Sequence, residues 1–459
     1  MQSDKFNYCL VIALILFIVF AYLNSLSGNF VSDDKAVMAS FSRQEPSFLK
    51  PVFSISNFVD VISWRLFALR PFGYHLVNLI LHILNVILVF LTIFSLFGRR
   101  KLAFITALLF AVHPVNTQVV SWISGKPYAQ MSLFFLMAVS MHKRLVISII
   151  SFLLSLTIQV GALGMPFLLL VYHRNKKKTF YYFAALLLSI PFLSKMLFKR
   201  IAMFDSLSAG VYIWPAPGRI VAVFRVLFYY LKLAVFPLKL GWYHSIGFDY
   251  NKNLENFNLA AVGSILAVCF LIFLAFKYRN KSREFSFGIA WFFITLLPCL
   301  NIIYTNSVIA ERYLYLPLIG FCLALASLLE KLPMRIAVTL TSIILSLLFI
   351  RTIIRNKDYK NEFTLYYSNT IAFPDTYMSH NSLGGAYTNL GKYELAAQEF
   401  KKAIELNPSY EGAYYNLGNT YLVLGRISSA YLQFKKSLSL NPNFELAREN
   451  LSAIENFKQ

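Results

Sequence analysis

From Tyr8 to Ile350 the chain is a succession of apolar runs, and no other feature constrains its fold as tightly. The runs fall at about 8–26, 76–97, 102–114, 128–141, 145–160, 163–173, 179–194, 259–276, 285–300, 312–329 and 335–350. A helix needs about 20 apolar residues to cross the roughly 30 Å hydrocarbon core of a bilayer. Several runs are shorter, so their helices are expected to extend into the flanking loops. With 58% hydrophobic and 14% charged residues, the composition lies outside the range of soluble domains. Together these features predict an all-α, polytopic helical membrane protein over residues 1–350. The first run has Lys5 before it and no small-residue cleavage site after it, so it is expected to stay as an anchor.

The net charge of +22 could suggest nucleic acid. Its distribution argues against that. From Thr376 to the end, Lys and Arg number 8 and Asp and Glu number 7, so the excess lies in loops between apolar runs. Every second connection is basic: Arg99-Arg100-Lys101, Lys143-Arg144, Arg174 with Lys176, Lys177 and Lys178, then Lys277, Arg279, Lys281 and Arg283, and last Lys331 with Arg335. The positive-inside bias makes these loops cytoplasmic. The N-terminus is then inside. Asp33-Asp34, the loops near His113, Arg200, Asp249 and Glu311, and the C-terminal tail are outside. Lys195, Lys199, Arg200, Arg351 and Arg355 also fall outside, against the bias. Residues 219–240 are apolar enough to cross, but Arg225, Lys232 and Lys239 repeat every seventh residue and share a helical face. A cationic stripe suits an interfacial or cavity-lining segment. Read as non-crossing, it gives 11 spans, with 12 as the alternative. Cys9, Cys269, Cys299 and Cys322 lie in or at the edge of apolar runs without CxxC spacing, and are expected to be buried, reduced thiols.

Beyond Ile350 a 34-residue period begins. Leu383-Gly384, Tyr387, Ala396, Phe400, Ala403 and Pro408 recur as Leu417-Gly418, Tyr421, Ala430, Phe434, Ser437 and Pro442. Small residues at helix crossings, aromatics between them and a proline stop describe the tetratricopeptide hairpin. Residues 351–375 read as a linker with a degenerate half-repeat. Residues 376–459 read as two repeats with a capping helix at 445–457.

Four places could carry chemistry. Asp33 and Asp34 form the chain's one pair of adjacent carboxylates, just past the first run. A carboxylate at a membrane surface can act as a general base if apolar walls raise its pKa, or can help hold a divalent metal. It can also be ordinary loop solvation. The stretch 35–75 is expected to contain interfacial helices that enclose the pair. On the second run His75, Asn78, His82 and Asn85 share a face; His75 and His82 are about 10 Å apart along the axis, so interhelical hydrogen bonding is favoured over a shared metal. His113, before Pro114, reads as a cap or a ligand contact. Glu311-Arg312 opens an outer span end. Arg312 either pairs with Glu311 or holds a lipid phosphate, for which its fork geometry is suited.

GNFVSDD, GYHLVNLILHILN, LLFAVHPVNTQVVSWISGK, FPLKLGWYHSIGFDY and AERYLYLPLIGF, in this order and followed by repeats, resemble the transmembrane-and-tetratricopeptide O-mannosyltransferase-type proteins and their bacterial relatives. The resemblance covers nearly the whole chain. It implies a GT-C glycosyltransferase architecture and transfer of a sugar from a polyprenyl-phosphate donor to a protein hydroxyl or glycan on the non-cytoplasmic face. It implies Asp33 as the base, with Asp34 beside it. Arg225, Lys232 and Arg312 would hold the leaving phosphate, Glu311 and His113 would add substrate contacts, and the repeats would present an acceptor protein. Two departures stand out. The family commonly has Glu where this chain has Gln118, and an acidic residue near Lys126 to Tyr128 that is absent here. The short repeat array favours a bacterial inner membrane over the endoplasmic reticulum. Two other function classes stay open: a non-catalytic scaffold for envelope assembly, and a lipid-linked sugar transporter or polymerase.

Overall fold

The structure, a computed structural model, describes residues 2–43, 55–173, 179–191, 194, 216–244, 258–300 and 309–458. Arg174, Lys176, Lys177, Lys178, Lys195, Lys199, Arg200 and Asp249 lie outside the described residues. Among the described residues every element is helical. The chain divides into two units: Met1–Leu238 with Tyr250–Lys360, and Lys239–Asp249 with Asn361–Gln459.

In the first unit every apolar run carries a helix. Cys9–Ser27, Pro71–Phe97, Leu259–Lys277 and Met334–Lys360 are long and apolar enough to cross a membrane alone. Arg100–Ala111 and Pro114–Val120 form one further span if their 51° bend is allowed. Leu145–Ile158, Val160–His173, Thr179–Pro191 and Pro317–Leu329 are apolar but shorter. The reading of 11 or 12 spans equates every apolar run with a crossing. Prolines explain why many described helices are shorter: Pro114, Pro127, Pro166 and Pro317 each sit at a helix start, where a missing N–H costs nothing, and each prevents continuation of the helix before it. Helix Ala216–Val235 is 20 residues long, but with Arg219, Arg225 and Lys232 it is not among the helices both long and apolar enough to cross. It ends before Pro237, so Lys239 falls beyond it and the cationic stripe shortens to Arg225 and Lys232.

The ends of the bundle separate by charge. At one end Arg99 bonds Glu284 (2.9 Å) and Glu330 (2.6 Å). There too Arg283 donates to the Tyr172 carbonyl (2.9 Å), and His142 packs on Tyr172 and His173. The described basic connections, at 99–101, 143–144, 277–283 and 331–335, therefore lie toward one end, as a common cytoplasmic face requires. At the other end Asn29 N–H donates to the Lys360 carbonyl (2.9 Å), Asn24 to that of Ile353 (2.9 Å) and Thr352 to that of Val112 (2.7 Å).

Several polar groups inside the bundle join helices. His82 bonds the Tyr315 hydroxyl (2.8 Å) and the Ala111 carbonyl (3.0 Å), and Asn85 donates to the Ala129 carbonyl (2.9 Å). Helices Arg283–Leu296 and Pro317–Leu329 cross at Gly288 and Gly320, where a side chain on either would meet the other's carbonyl at 2.6 Å or less. Such small-residue crossings replace the hydrophobic drive that lipid removes. Cys299 and Cys322 are buried; Cys9 and Cys269 are exposed, on helices whose outer faces are apolar, so the expectation of four buried thiols holds for two.

In the second unit, helices Tyr377–Asn389 and Tyr393–Leu406, then Glu411–Val423 and Ile427–Leu440, form successive hairpins, and Glu445–Lys458 packs on the last. Phe400 fills the space over Gly384 and Phe434 that over Gly418. Asn361 and Thr364 close a capping box at the start of helix Glu362–Ala372. The sequence pattern did not show that residues 239–244 join this unit. The Tyr243 N–H donates to the Asn369 carboxamide (3.0 Å), which donates back to the Tyr243 carbonyl (3.1 Å).

Candidate functional site

The segment 113–128 organises the end of the first unit opposite the described basic connections. It follows helix Arg100–Ala111, breaks at Pro114 and passes through short helical turns before helix Lys126–Ser140. It is held from beneath by Asn78, whose carboxamide donates to the Trp122 carbonyl (2.8 Å) and lies near those of Val119 (3.3 Å) and Ile123 (3.4 Å). Ser121 donates to the Asn356 carboxamide (3.0 Å). Gly125 allows the turn to close: a Cβ there would lie 2.5 Å from the Gln118 carbonyl oxygen.

The acidic pair docks on this segment. After a left-handed backbone at Ser32 (φ 52°), helix Asp33–Arg43 begins with both carboxylates in its first turn, where the helix dipole favours negative charge. The two then diverge. Asp34 is fully buried. Its Oδ2 accepts from the Val31 N–H (3.1 Å), and its Oδ1 accepts from the Ser124 N–H (2.9 Å) and the Ser124 hydroxyl. Burial pushes its carboxyl up to about 6, opposed by the bonds from Ser124 and Val31 and helped by the Asp33 charge. Asp33 is exposed. Met38, Phe41, Tyr74 and Ile123 form a small apolar core under this helix, edged by Phe30, Trp64 and Phe67. Trp64 belongs to helix Ile55–Phe67, so one helix of the stretch 35–75 packs against the helix that carries the pair.

The same segment positions Arg312. Gln118 is buried and its Oε1 accepts from the Arg312 N–H (2.7 Å). The guanidinium sits 5.5 Å from the Trp122 ring centre, 5.9 Å from that of Tyr128 and 5.3 Å from that of Tyr313. An aromatic cage of this kind holds the charge by cation–π attraction. Asp34 contacts Ser124 and Arg312 packs on Trp122; these two anchor residues are at most about 7 Å apart along the chain. Glu311 takes a different role: its carboxylate meets Arg355 at 3.4 Å, with both side chains buried. Arg355 also bonds Asp358 (2.7 Å) and lies over the Tyr359 ring. Arg355 therefore stands outside the positive-inside count as a buried, paired charge rather than a loop cation.

Sequence reasoning missed two members of this region. Ser124 carries no motif of its own. Asp60 forms an ion pair with buried Lys126. A lone acid between Val59 and Val61, and the last acid before Asp205, was the signal. The carboxylate that seemed absent near Lys126 comes from another helix.

His113 is buried and spent within the protein. Its Nε2 lies 3.0 Å from the Ala234 carbonyl, and its Nδ1 accepts from the Val115 N–H (3.4 Å). It caps the break at Pro114. Through Ala234, and through Tyr230, whose hydroxyl accepts from the Ala310 N–H (3.0 Å), helix Ala216–Val235 ends beside the Arg312 turn. The same helix carries exposed Lys232 and half-buried Arg225, with Lys232 on the face opposite Tyr230 and Ala234. Among the described residues no three His, Cys, Asp or Glu side chains gather as metal ligands.

Comparison with known proteins agrees with this organisation. A family model described as TPR repeat matches residues 384–425, and one described as Tetratricopeptide repeat matches 412–444. The Caenorhabditis elegans protein named Protein O-mannosyl-transferase F38B6.6 is 28% identical over 441 residues, covering 87% of this chain and 63% of its own length. Human Protein O-mannosyl-transferase TMTC3 is 26% identical over 478 residues, covering 88% and 52%. Human Protein O-mannosyl-transferase TMTC1 is 25% identical over 423 residues, covering 76% and 47%. The chain thus spans about half to two thirds of the length of these relatives. Over most of its length the chain is therefore similar to proteins named protein O-mannosyl-transferase, and it carries several apolar helices followed by tetratricopeptide repeats.

Proposed function

We propose that the chain is a membrane glycosyltransferase that moves a hexose, mannose by analogy with its relatives' names, from a polyprenyl-phosphate donor to a Ser or Thr hydroxyl of a protein. The observation that carries this reading is the division of labour in the acidic pair. Asp34 is buried with both oxygens committed, while Asp33 is exposed beside it, on a helix pinned to the turn that also holds caged Arg312. In this mechanism Asp33 takes the proton from the acceptor hydroxyl. The hydroxyl oxygen bonds to the anomeric carbon from the face opposite the phosphate. The carbon–oxygen bond to the phosphate breaks, and polyprenyl phosphate leaves with the electron pair. Arg312 stabilises the charge developing on that phosphate, with Lys232 and Arg225 as further cations along the lipid's path. Both oxygens of Asp34 accept hydrogen bonds within the protein, and no step is routed through a metal ion.

Gln118 does not weaken this reading. What the position does here is accept the Arg312 N–H, and a carboxamide does that as well as a carboxylate. Asn29 bonds Lys360 at the end of the unit that carries Asp33, so the chain leaves the membrane on the acidic pair's side, which supports repeats on the non-cytoplasmic face. The relatives here are animal proteins, which favours the endoplasmic reticulum membrane over a bacterial one. The test uses membranes carrying the chain, a labelled polyprenyl-phosphate mannose and a Ser/Thr-rich peptide. Label in the peptide is expected. Folded, inserted protein that leaves the peptide unlabelled would overturn the proposal.

A further inference from the structure

At the end of the bundle that carries the described basic connections, a cavity of about 620 Å³ opens between helices Met165–His173, Leu259–Lys277 and Arg283–Leu296. The reaction proposed above uses none of its residues. Its lining is graded from polar to apolar. Arg279 and Arg283 stand at the helix ends, and both are exposed. Ser286 lies about one turn further in, and Phe287 and Ala290 continue the same wall. At 1.5 Å per residue the wall from Arg283 to Ala290 is about 10 Å deep. Leu170, Val171 and Phe276 face it from the other two helices.

The charge at the mouth is unopposed. Arg99, at the same end, is taken by Glu284 and Glu330. Arg279 and Arg283 pair with no carboxylate among the described residues, and no acidic side chain is among those lining the cavity. Arg283 is held in place by Tyr172 instead. It donates to the Tyr172 carbonyl (2.9 Å), and its guanidinium lies 4.7 Å from the Tyr172 ring centre. Further N–H donors of the fork are left over. The N-terminus of the 14-residue helix Arg283–Leu296 lies at the same mouth, where the dipole favours an anion. Below it Ser286 is 9% exposed, and its hydroxyl has no hydrogen-bond partner among the described residues.

From this cavity we infer a binding site for one anionic phospholipid. Its phosphate sits against Arg279 and Arg283, and an acyl chain runs along Phe276, Phe287, Leu170 and Val171. A guanidinium pair matches phosphate oxygens in charge and in geometry. One turn deeper, the Ser286 hydroxyl donates to an ester oxygen of the lipid. Basic pockets between membrane helices recognise anionic headgroups by the same chemistry. A zwitterionic lipid is disfavoured, because its ammonium meets two arginines and no carboxylate. Free phosphate leaves the apolar wall uncovered. The polyprenyl-phosphate donor is too far from the acidic pair when seated here. Helix Pro317–Leu329, 13 residues or about 20 Å long, separates the Arg312 turn from Glu330, which Arg99 binds at this end. The lipid therefore joins three helices and takes no part in a reaction, so the inference does not rest on the function proposed above.

The test uses the full chain in phosphatidylcholine nanodiscs to which phosphatidylglycerol is added in steps. Lipid retained in native mass spectrometry and the thermal melt are the readouts. One phosphatidylglycerol per chain is expected, bound at least about tenfold more tightly than phosphatidylcholine, with a melt that rises as it binds. The Arg279→Gln, Arg283→Gln variant should bind it about tenfold more weakly or worse. The Lys277→Gln, Lys281→Gln variant removes the same charge from residues that do not line the cavity, and should bind within about twofold of the parent. An unchanged melt in phosphatidylcholine alone shows that the arginine variant is folded. If it melts early, Arg279→Gln alone is used, with a loss of about threefold expected. Equal losses in the arginine and lysine variants would mean general surface attraction and overturn the inference. So would displacement of the lipid by excess inorganic phosphate, or tighter binding of polyprenyl phosphate than of phosphatidylglycerol.

Discussion

At the scale of single residues, the two aspartates differ in what their oxygens touch, and each difference can be measured. In Asp34→Asn the carboxamide keeps an acceptor for Ser124 but turns an N–H toward the Val31 N–H. A buried pair of donors costs about 1–3 kcal/mol, so the variant should melt earlier at neutral pH. The pH dependence has a definite sign. The Asp34 carboxyl lies at about 6 against an ordinary 3.8, so the folded protein holds the proton more tightly. Its contribution is fully present below about 3.8 and is lost as pH rises through 6, on the order of 3 kcal/mol in all. The melting temperature of the parent should fall between pH 4 and 7 by an increment that Asp34→Asn does not show. Arg312→Ala removes the caged charge. It should raise the KM for the lipid-linked donor about tenfold to a hundredfold while leaving that for the peptide unchanged. Both acids, Arg312 and His113 were visible in the sequence as candidates. Their division of roles was not, because it depends on Ser124 and on backbone groups whose identity no residue pattern encodes.

At the scale of elements, the broken segment 113–128 matters more than any one helix. Its prolines and glycine could be read as punctuation, but not as the surface on which Asp34, Asp60 and Arg312 converge from three distant parts of the chain. Gly125→Ala pushes a Cβ against the Gln118 carbonyl. It should abolish transfer with protein level and membrane insertion unchanged, because the turn must open to accept it. The repeats were legible almost completely, since the 34-residue period states both helix pairing and the close crossing at Gly418. Gly418→Val drives a side chain into Phe434. Such overpacking costs about 1–3 kcal/mol, and the helical signal of the repeat unit should melt correspondingly earlier. Segment 239–244 escaped notice because its ties to Asn369 are backbone bonds across more than a hundred residues of chain.

At the scale of the whole molecule, the contacts of Arg99 and Arg283 bring the described basic loops to one end, which fits a cytoplasmic placement of those loops. Reporters fused after Lys178 or Lys281 should be cytoplasmic, and one fused after Gln459 should be outside. A cytoplasmic Gln459 reporter would separate the repeats from the acidic pair and contradict the account. The central claim is that Asp33 is the base of a sugar transfer. Its most direct test is the rate of labelled mannose transfer from polyprenyl phosphate to peptide in isolated membranes, comparing the parent with Asp33→Asn at equal protein level. The account predicts a loss of about 10²–10⁴-fold, with donor binding retained. Transfer at the parental rate by Asp33→Asn would contradict it.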